Sequence, residues 1–232
     1  MTVITNIMTF APLGILIQTS PVRKPIAHDN PVTGPDLDGR ESFAIEFTDA
    51  PVPKGQPSSV QTLPPSKQGQ SSFYTPPPHY HLMQDEHFRV VSGSGIWHLS
   101  NKSIRLQAGD TITIPAWKYH WFENARDSSE PLKVGYWYTR EYTEMEEKFF
   151  RNTMGYIADC TRAGQQPSVV QLCIFSVRNW MVIGVVNWQF VPDSFNFLLN
   201  TLITFAFAIW GEFVLGYAAS YEQYYQPPYK TN

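Results

Sequence analysis

His79-Tyr80-His81-Leu82-Met83-Gln84-Asp85-Glu86, followed after six residues by Gly93, is the stretch on which the fold of this chain turns. In an extended strand side chains alternate between faces, so His79 and His81 share one side and Tyr80 takes the other. Glu86 opens the next strand, and the same parity sets Phe88 and Val90 beside it while turning Asp85 and His87 away. Further on, Gly109-Asp110-Thr111-Ile112-Thr113-Ile114-Pro115 leads to His120, with Phe122 and Asn124 on its face. His79, His81, Glu86 and His120 thus offer three imidazoles and one carboxylate from neighbouring strands. That mixed nitrogen and oxygen set suits Fe(II), Mn(II), Ni(II), Cu(II) or Zn(II) and leaves positions open for water, O2 or a substrate.

Around these residues run short β-branched and aromatic segments at 88–91, 96–99, 104–106, 111–114, 119–122 and 132–138, separated by Gly, Asn and Asp turns. Such spacing predicts an antiparallel sandwich or barrel over 73–138. Upstream, residues 1–72 read as a lead-in with one strand at 42–47. The stretch 51–78 carries eight prolines, which predicts an extended loop rather than a helix or central strand. Downstream, 139–232 reads as a helical, apolar extension. An amphipathic helix is expected at 140–155, where Glu141, Glu144, Glu146, Glu147 and Lys148 interleave with Tyr142, Met145, Phe149 and Phe150 and the aromatic edge packs on the sheet. The segment 169–191 has no assignable period.

The two motifs resemble those of the cupin superfamily. His79, His81, Glu86 and Gly93 fit the first, and Gly109, Pro115, His120 and Asn124 fit the second. Phe73 and Trp117 stand where the pattern has glycine. The resemblance implies a mainly β fold, a double-stranded β-helix or jelly-roll barrel, with His79, His81, Glu86 and His120 as metal ligands. It also implies a homodimer, and by its lean toward oxygen chemistry it makes Fe(II) the first choice of metal. The Pro-rich approach, the apolar tail and the closing Gly216-Tyr217 and Ser220-Tyr221-Glu222 are similar to small fungal single-domain cupins of natural-product biosynthesis. That second likeness implies a polyketide-like or other small organic substrate and identifies no reaction; the metal set and the lean toward oxygen chemistry make a dioxygenase-type oxidation of a small hydrophobic metabolite the leading expectation. Metal-assisted isomerisation, dehydration or cyclisation, and non-catalytic binding of a small molecule, are the alternatives.

Composition agrees with an apolar-pocket protein. Charged residues are 16% of the 232 and aromatics 15%, against about 25% charged in an average chain, which excludes an intrinsically disordered chain. A formal charge of −3 argues against a nucleic-acid partner, because nothing neutralises a row of phosphates. Two cysteines, Cys160 and Cys173, exclude a disulfide framework. No basic residue precedes the apolar patch 8–17, so a secretory signal is not expected and the expected location is cytoplasmic.

Phe88, Val90, Trp97, Phe122, Trp137 and Tyr138 are the candidate substrate wall, and His98 is the candidate acid or base. Arg105 reads as a solvated strand residue. In the tail, 195–219 holds a single charge, Glu212, and Asn196, Asn200, Thr204 and Ala208 recur every four residues. A small polar stripe on an apolar helix predicts either packing against the barrel or a partner, or peripheral association with a membrane.

Overall fold

The computed structural model describes residues 20–35, 41–48, 52–65, 72, 74–138 and 143–227. The apolar patch 8–17, Phe73 and residues 140–142 of the expected helix lie outside them. Eleven strands and three helices follow in the order β1 (Val32–Pro35), β2 (Glu41–Phe47), β3 (Ser59–Leu63), β4 (His79–His81), β5 (Glu86–Ser92), β6 (Ser94–Leu99), β7 (Lys102–Gln107), β8 (Thr111–Ile114), β9 (His120–Asn124), β10 (Leu132–Trp137), α1 (Thr143–Arg162), α2 (Val169–Arg178), β11 (Met181–Ile183) and α3 (Asp193–Phe213).

Two antiparallel sheets form a mainly β body. One runs β1-β2-β3-β10-β5-β8 and the other β11-β4-β9-β6-β7. Their inner faces meet in an aromatic core: Phe88 lies 5.7 Å from Trp97 and 5.2 Å from Phe122, and Trp97 stacks on Phe122 at 5.3 Å. Alternation explains the burial. Glu86, Phe88 and Val90 of β5 are buried, while His87 and Arg89 are half-exposed. Gly93 makes the sharp return from β5 to β6 at φ 81°, and a Cβ there would sit 2.4 Å from the Pro131 carbonyl oxygen. Both facts demand glycine.

The sheet begins upstream of residue 73. β3, inside the Pro-rich stretch expected to be loop, lies between β2 and β10 as an internal strand. Its flanking residues Pro57, Pro64 and Pro65 stop short of the strand, so no ladder donor is lost. The apolar extension likewise contributes a strand, since β11 pairs with β4. α1 runs seven residues past the expected end at 155, to Arg162, and its Phe150 ring lies 5.0 Å from Tyr136 as the aromatic edge predicted.

α3 inverts the usual amphipathic arrangement. Its polar stripe of Asn196, Asn200 and Thr204 is buried, whereas Leu198, Leu202 and Ile209 are more than half exposed. The reason is a hydrogen-bond ladder. Asn196 bonds the N–H and carbonyl of Trp188 at 3.0 and 2.9 Å, Asn200 those of Val186 at 2.8 and 2.7 Å, and Thr204 donates to the Ile183 carbonyl at 3.4 Å. Four helical residues rise about 6 Å and two extended ones about 6.6 Å, so an every-fourth-residue stripe keeps step with an extended segment. The helix thereby covers the backbone leading out of edge strand β11. By length and composition α3 also passes for a membrane span, and 28% of its apolar window is buried.

Asn200→Ala removes both partners of Val186 at a fully buried position. A loss of about 2–4 kcal/mol is expected in urea unfolding, from one amide deleted and two backbone groups left short of partners.

Candidate metal centre

Three strands bring the four motif residues to one point. His79 and His81 come from β4, and His120 pairs directly with His79 across β4 and β9. Glu86 comes from β5 in the opposite sheet, so the cluster joins the two sheets. All four side chains are at least 95% buried, and one donor atom from each lies within 4.8 Å of the others. His79 Nε2 is 3.2 Å from His81 Nε2, and Glu86 Oε2 is 2.8 Å from His120 Nε2 and 3.3 Å from His81 Nε2.

The backbone fixes which imidazole nitrogen faces inward. His79 Nδ1 donates to the Pro77 carbonyl and His120 Nδ1 to the Lys118 carbonyl, each at 2.8 Å. With Nδ1 carrying the proton, each neutral ring presents the Nε2 lone pair to the cluster. His120 Nε2 then faces the Glu86 carboxylate acceptor to acceptor, a contact that only a proton or a metal ion between them makes favourable. The donor set, its burial and its fixed tautomers fit a divalent metal. Burial, reinforced by His120 and His81, keeps the His79 ring neutral, with its pKa well below the usual imidazole value. Burial pushes the Glu86 carboxyl upward, but a proton carried on His81 or His120 outweighs it and draws the carboxyl well below the ordinary carboxylate range, as a cation in the same place would.

Two further residues complete the centre. Tyr138 donates its hydroxyl to Glu86 Oε1 in a buried hydrogen bond. Burial first, then the Glu86 charge, holds the phenol protonated, so Tyr138 remains a donor that fixes the carboxylate. Glu146, on the polar side of the α1 pattern, is 3% exposed, and Gln84 Nε2 lies 3.4 Å from its Oε1. Burial, aided by the Glu86 charge, pushes the Glu146 carboxyl up to about 10, leaving it neutral near pH 7. Tyr138 is among the candidate wall residues, but here it holds a ligand; a glutamate at 146 carries no motif, and nothing in the sequence marks its place near the centre.

The remaining expected site residues divide. Phe88 and Phe122 lie two residues along the strand faces of Glu86 and His120, Val90 lies two further along β5, and Trp97 of β6 pairs with Phe122; together they form the apolar layer next to the cluster. Trp137 does not belong with them. It pairs with His87 in register, stacks on that ring at 5.2 Å and lies under Arg89, on the outer face of the sheet. Tyr136 and Tyr138 hold the inward parity on β10. His98 also faces outward: it stacks on Trp121 at 4.3 Å, with Nδ1 2.9 Å from the Ser103 hydroxyl and Nε2 3.3 Å from Glu123. Its strand carries Trp97 inward, so His98 is not an acid or base of this centre. His87, Tyr80 and Asp85 point away as parity requires: His87 bonds Thr113, Tyr80 packs on Tyr119 and Phe197, and Asp85 accepts from the Ala116 N–H. Arg105 forms an exposed ion pair with Asp127 at 2.8 Å.

Trp117, in the place of a motif glycine, keeps the left-handed conformation, with φ 68°. A bulky residue is strained there. It is held by its indole N–H to the Leu82 carbonyl at 2.8 Å and by stacking on Phe197 of α3 at 5.4 Å, so the apolar extension supports the loop entering β9.

The cupin domain model matches residues 61–137. The chain is 34% identical over 157 residues to a protein of Hypocrea virens named probable oxidoreductase virH, covering 66% of this chain and 69% of that protein. The chain belongs to the cupin family. A second relative, oxidoreductase iacF of Pestalotiopsis fici, is 31% identical over 127 residues, 49% of this cupin and 62% of its own length. Among solved structures, a predicted oxalate decarboxylase of Thermotoga maritima overlaps with TM-score 0.36 and 18% identity, over 50% of this cupin and 96% of that chain. A cupin-2 domain from Rhodospirillum rubrum gives TM-score 0.34 and 15% identity, over 43% and 60%.

Two measurements check the centre. Tyr138→Phe should weaken binding of Zn(II) or Fe(II) by about tenfold or more, the usual effect of removing a hydrogen bond that orients a ligand, read by titration against a competing chelator. For Glu146 the sign follows from its raised pKa. The unfolded chain releases this proton above about 4.5 while the folded one keeps it to about 10, so stability falls as pH rises through that window. Glu146→Gln, in metal-free protein, should therefore raise the melting temperature at about pH 8 and leave it unchanged at about pH 4.

Proposed function

We propose that this cupin is a metal-dependent oxidoreductase of fungal secondary metabolism, carrying out a dioxygenase-type oxidation of a small hydrophobic, polyketide-like substrate. The buried His79–His81–Glu86–His120 cluster carries the proposal, and the oxidoreductase names of both fungal relatives support it. A divalent ion, Fe(II) first among the candidates, would supply a Lewis acid and a redox centre with open coordination positions. The chain's own residues do the rest. His79 and His120 are locked as neutral Nε2 donors by the Pro77 and Lys118 carbonyls, and Tyr138 holds Glu86 in one orientation. Phe88, Val90, Trp97 and Phe122 make the adjoining layer apolar and exclude water, which suits a ring or chain without charge.

One observation favours a second use of the same centre. Glu146, a neutral carboxyl near Glu86, is suited to proton transfer in a metal-assisted isomerisation, dehydration or cyclisation. Oxygen separates the two. The metabolite that accumulates when the gene is deleted, incubated with Fe(II)-loaded protein, should be converted in air and left unchanged under anaerobic conditions. Equal turnover without O2 rejects the dioxygenase and leaves the acid–base reaction.

A further inference from the structure

The outward face of α3 carries no charge. Phe195, Leu198, Leu202, Ala206, Ile209 and Phe213 span an arc of about 80° of the helix circumference. They lie opposite the Asn196, Asn200 and Thr204 stripe that bonds the helix to its own chain. Ala206 is exposed, and the five larger side chains are 46–78% exposed. Trp188, stacked on Phe190 and Phe195, prolongs the patch ahead of the helix. With about 150–250 Å² to each aromatic side chain, the patch measures roughly 900 Å². That exceeds the few hundred Å² usual on a monomer and is close to the ~800 Å² that each partner buries in a standard interface.

The stripe reads alike from either end. Phe195 and Phe213 stand nine residues before and after Thr204, Leu202 and Ala206 two before and after, and Leu198 and Ile209 six before and five after. A two-fold axis level with Thr204 therefore sets Phe195 of one chain against Phe213 of another, Leu198 against Ile209, and Leu202 against Ala206. That self-complementarity is what an isologous contact requires. We propose that α3 pairs antiparallel with α3 of a second copy of this chain, through these six side chains. Ala206 near the crossing point lets the two axes approach, and Leu202 of the other copy fills the space above it. Charge agrees with the pairing. The exposed Asp193 at the N-terminal end of one helix comes beside the Arg178–Glu212 ion pair at the C-terminal end of the other, and the opposed helix dipoles attract. A membrane surface has no use for such a register, and α3 carries no Lys or Arg to hold a headgroup. The contact joins helices of the extension rather than edges of the sheets, and it is independent of the metal centre.

Sedimentation equilibrium of the full-length protein at micromolar concentration should show a dimer. Leu202→Glu sets a carboxylate into the contact from each copy and should raise the dissociation constant by about a hundredfold or more. The far-ultraviolet circular dichroism should stay unchanged, since this side chain is exposed in the single chain. Crosslinking tests the register separately. Cys160 and Cys173 are buried, so oxidising a mixture of Phe195→Cys and Phe213→Cys proteins should join one chain of each kind. Neither variant alone should crosslink, because like positions lie about 27 Å apart in the antiparallel pair. A monomeric wild type, a dimer indifferent to Leu202→Glu, or equal crosslinking by either cysteine variant alone overturns the proposal. So does a wild-type monomer that sediments with phosphatidylcholine vesicles, which would give the face to a membrane surface instead.

Discussion

Four lone-pair donors gathered within 4.8 Å in a buried space repel one another unless a cation stands among them. That constraint organises the molecule. Glu86 reaches from one sheet toward histidines on the other, Tyr138 pins the carboxylate, and the carbonyls of Pro77 and Lys118 claim the protons that would otherwise fill the centre. Even the apolar extension serves it indirectly. β11 pairs with the strand that carries His79 and His81, and α3 closes the edge beyond it.

The ligands were legible because strand parity is the strongest geometric rule a sequence carries. His79 and His81 one residue apart, Glu86 with Phe88 and Val90, and His120 with Phe122 all fell on the expected faces, as did the outward turns of His87, Tyr80 and Asp85. Parity failed where a strand offered apolar residues on both sides. At 96–99 it cannot orient His98, which faces outward against Trp121, and at 132–138 adjacent aromatics make Trp137 and Tyr138 both candidates, although only Tyr138 shares the inner side with Tyr136. Proline density hid β3, because composition over a long stretch masks five residues whose prolines stand only at the ends.

What the sequence concealed most thoroughly was burial against type. Glu146 reads as the polar face of a helix, and Asn196, Asn200 and Thr204 as a minor stripe on an apolar one, yet all four are buried. In both helices a specific polar partner outweighs the hydrophobic pattern: Gln84 and the neutral state for Glu146, and the backbone from Ile183 to Trp188 for α3. Local periodicity cannot register partners so distant in sequence. The large apolar side chains left on the outside of α3 are the counterpart of that exchange.

The account stands on a metal bound by three imidazoles and one carboxylate. X-ray absorption at the metal edge of full-length protein loaded with Fe(II) or Zn(II) tests it most directly. One tightly held ion per chain is expected, with a first shell of nitrogen and oxygen donors and the outer-shell scattering of three imidazole rings. Protein that retains no ion after desalting, or an ion surrounded by oxygen alone, would contradict it.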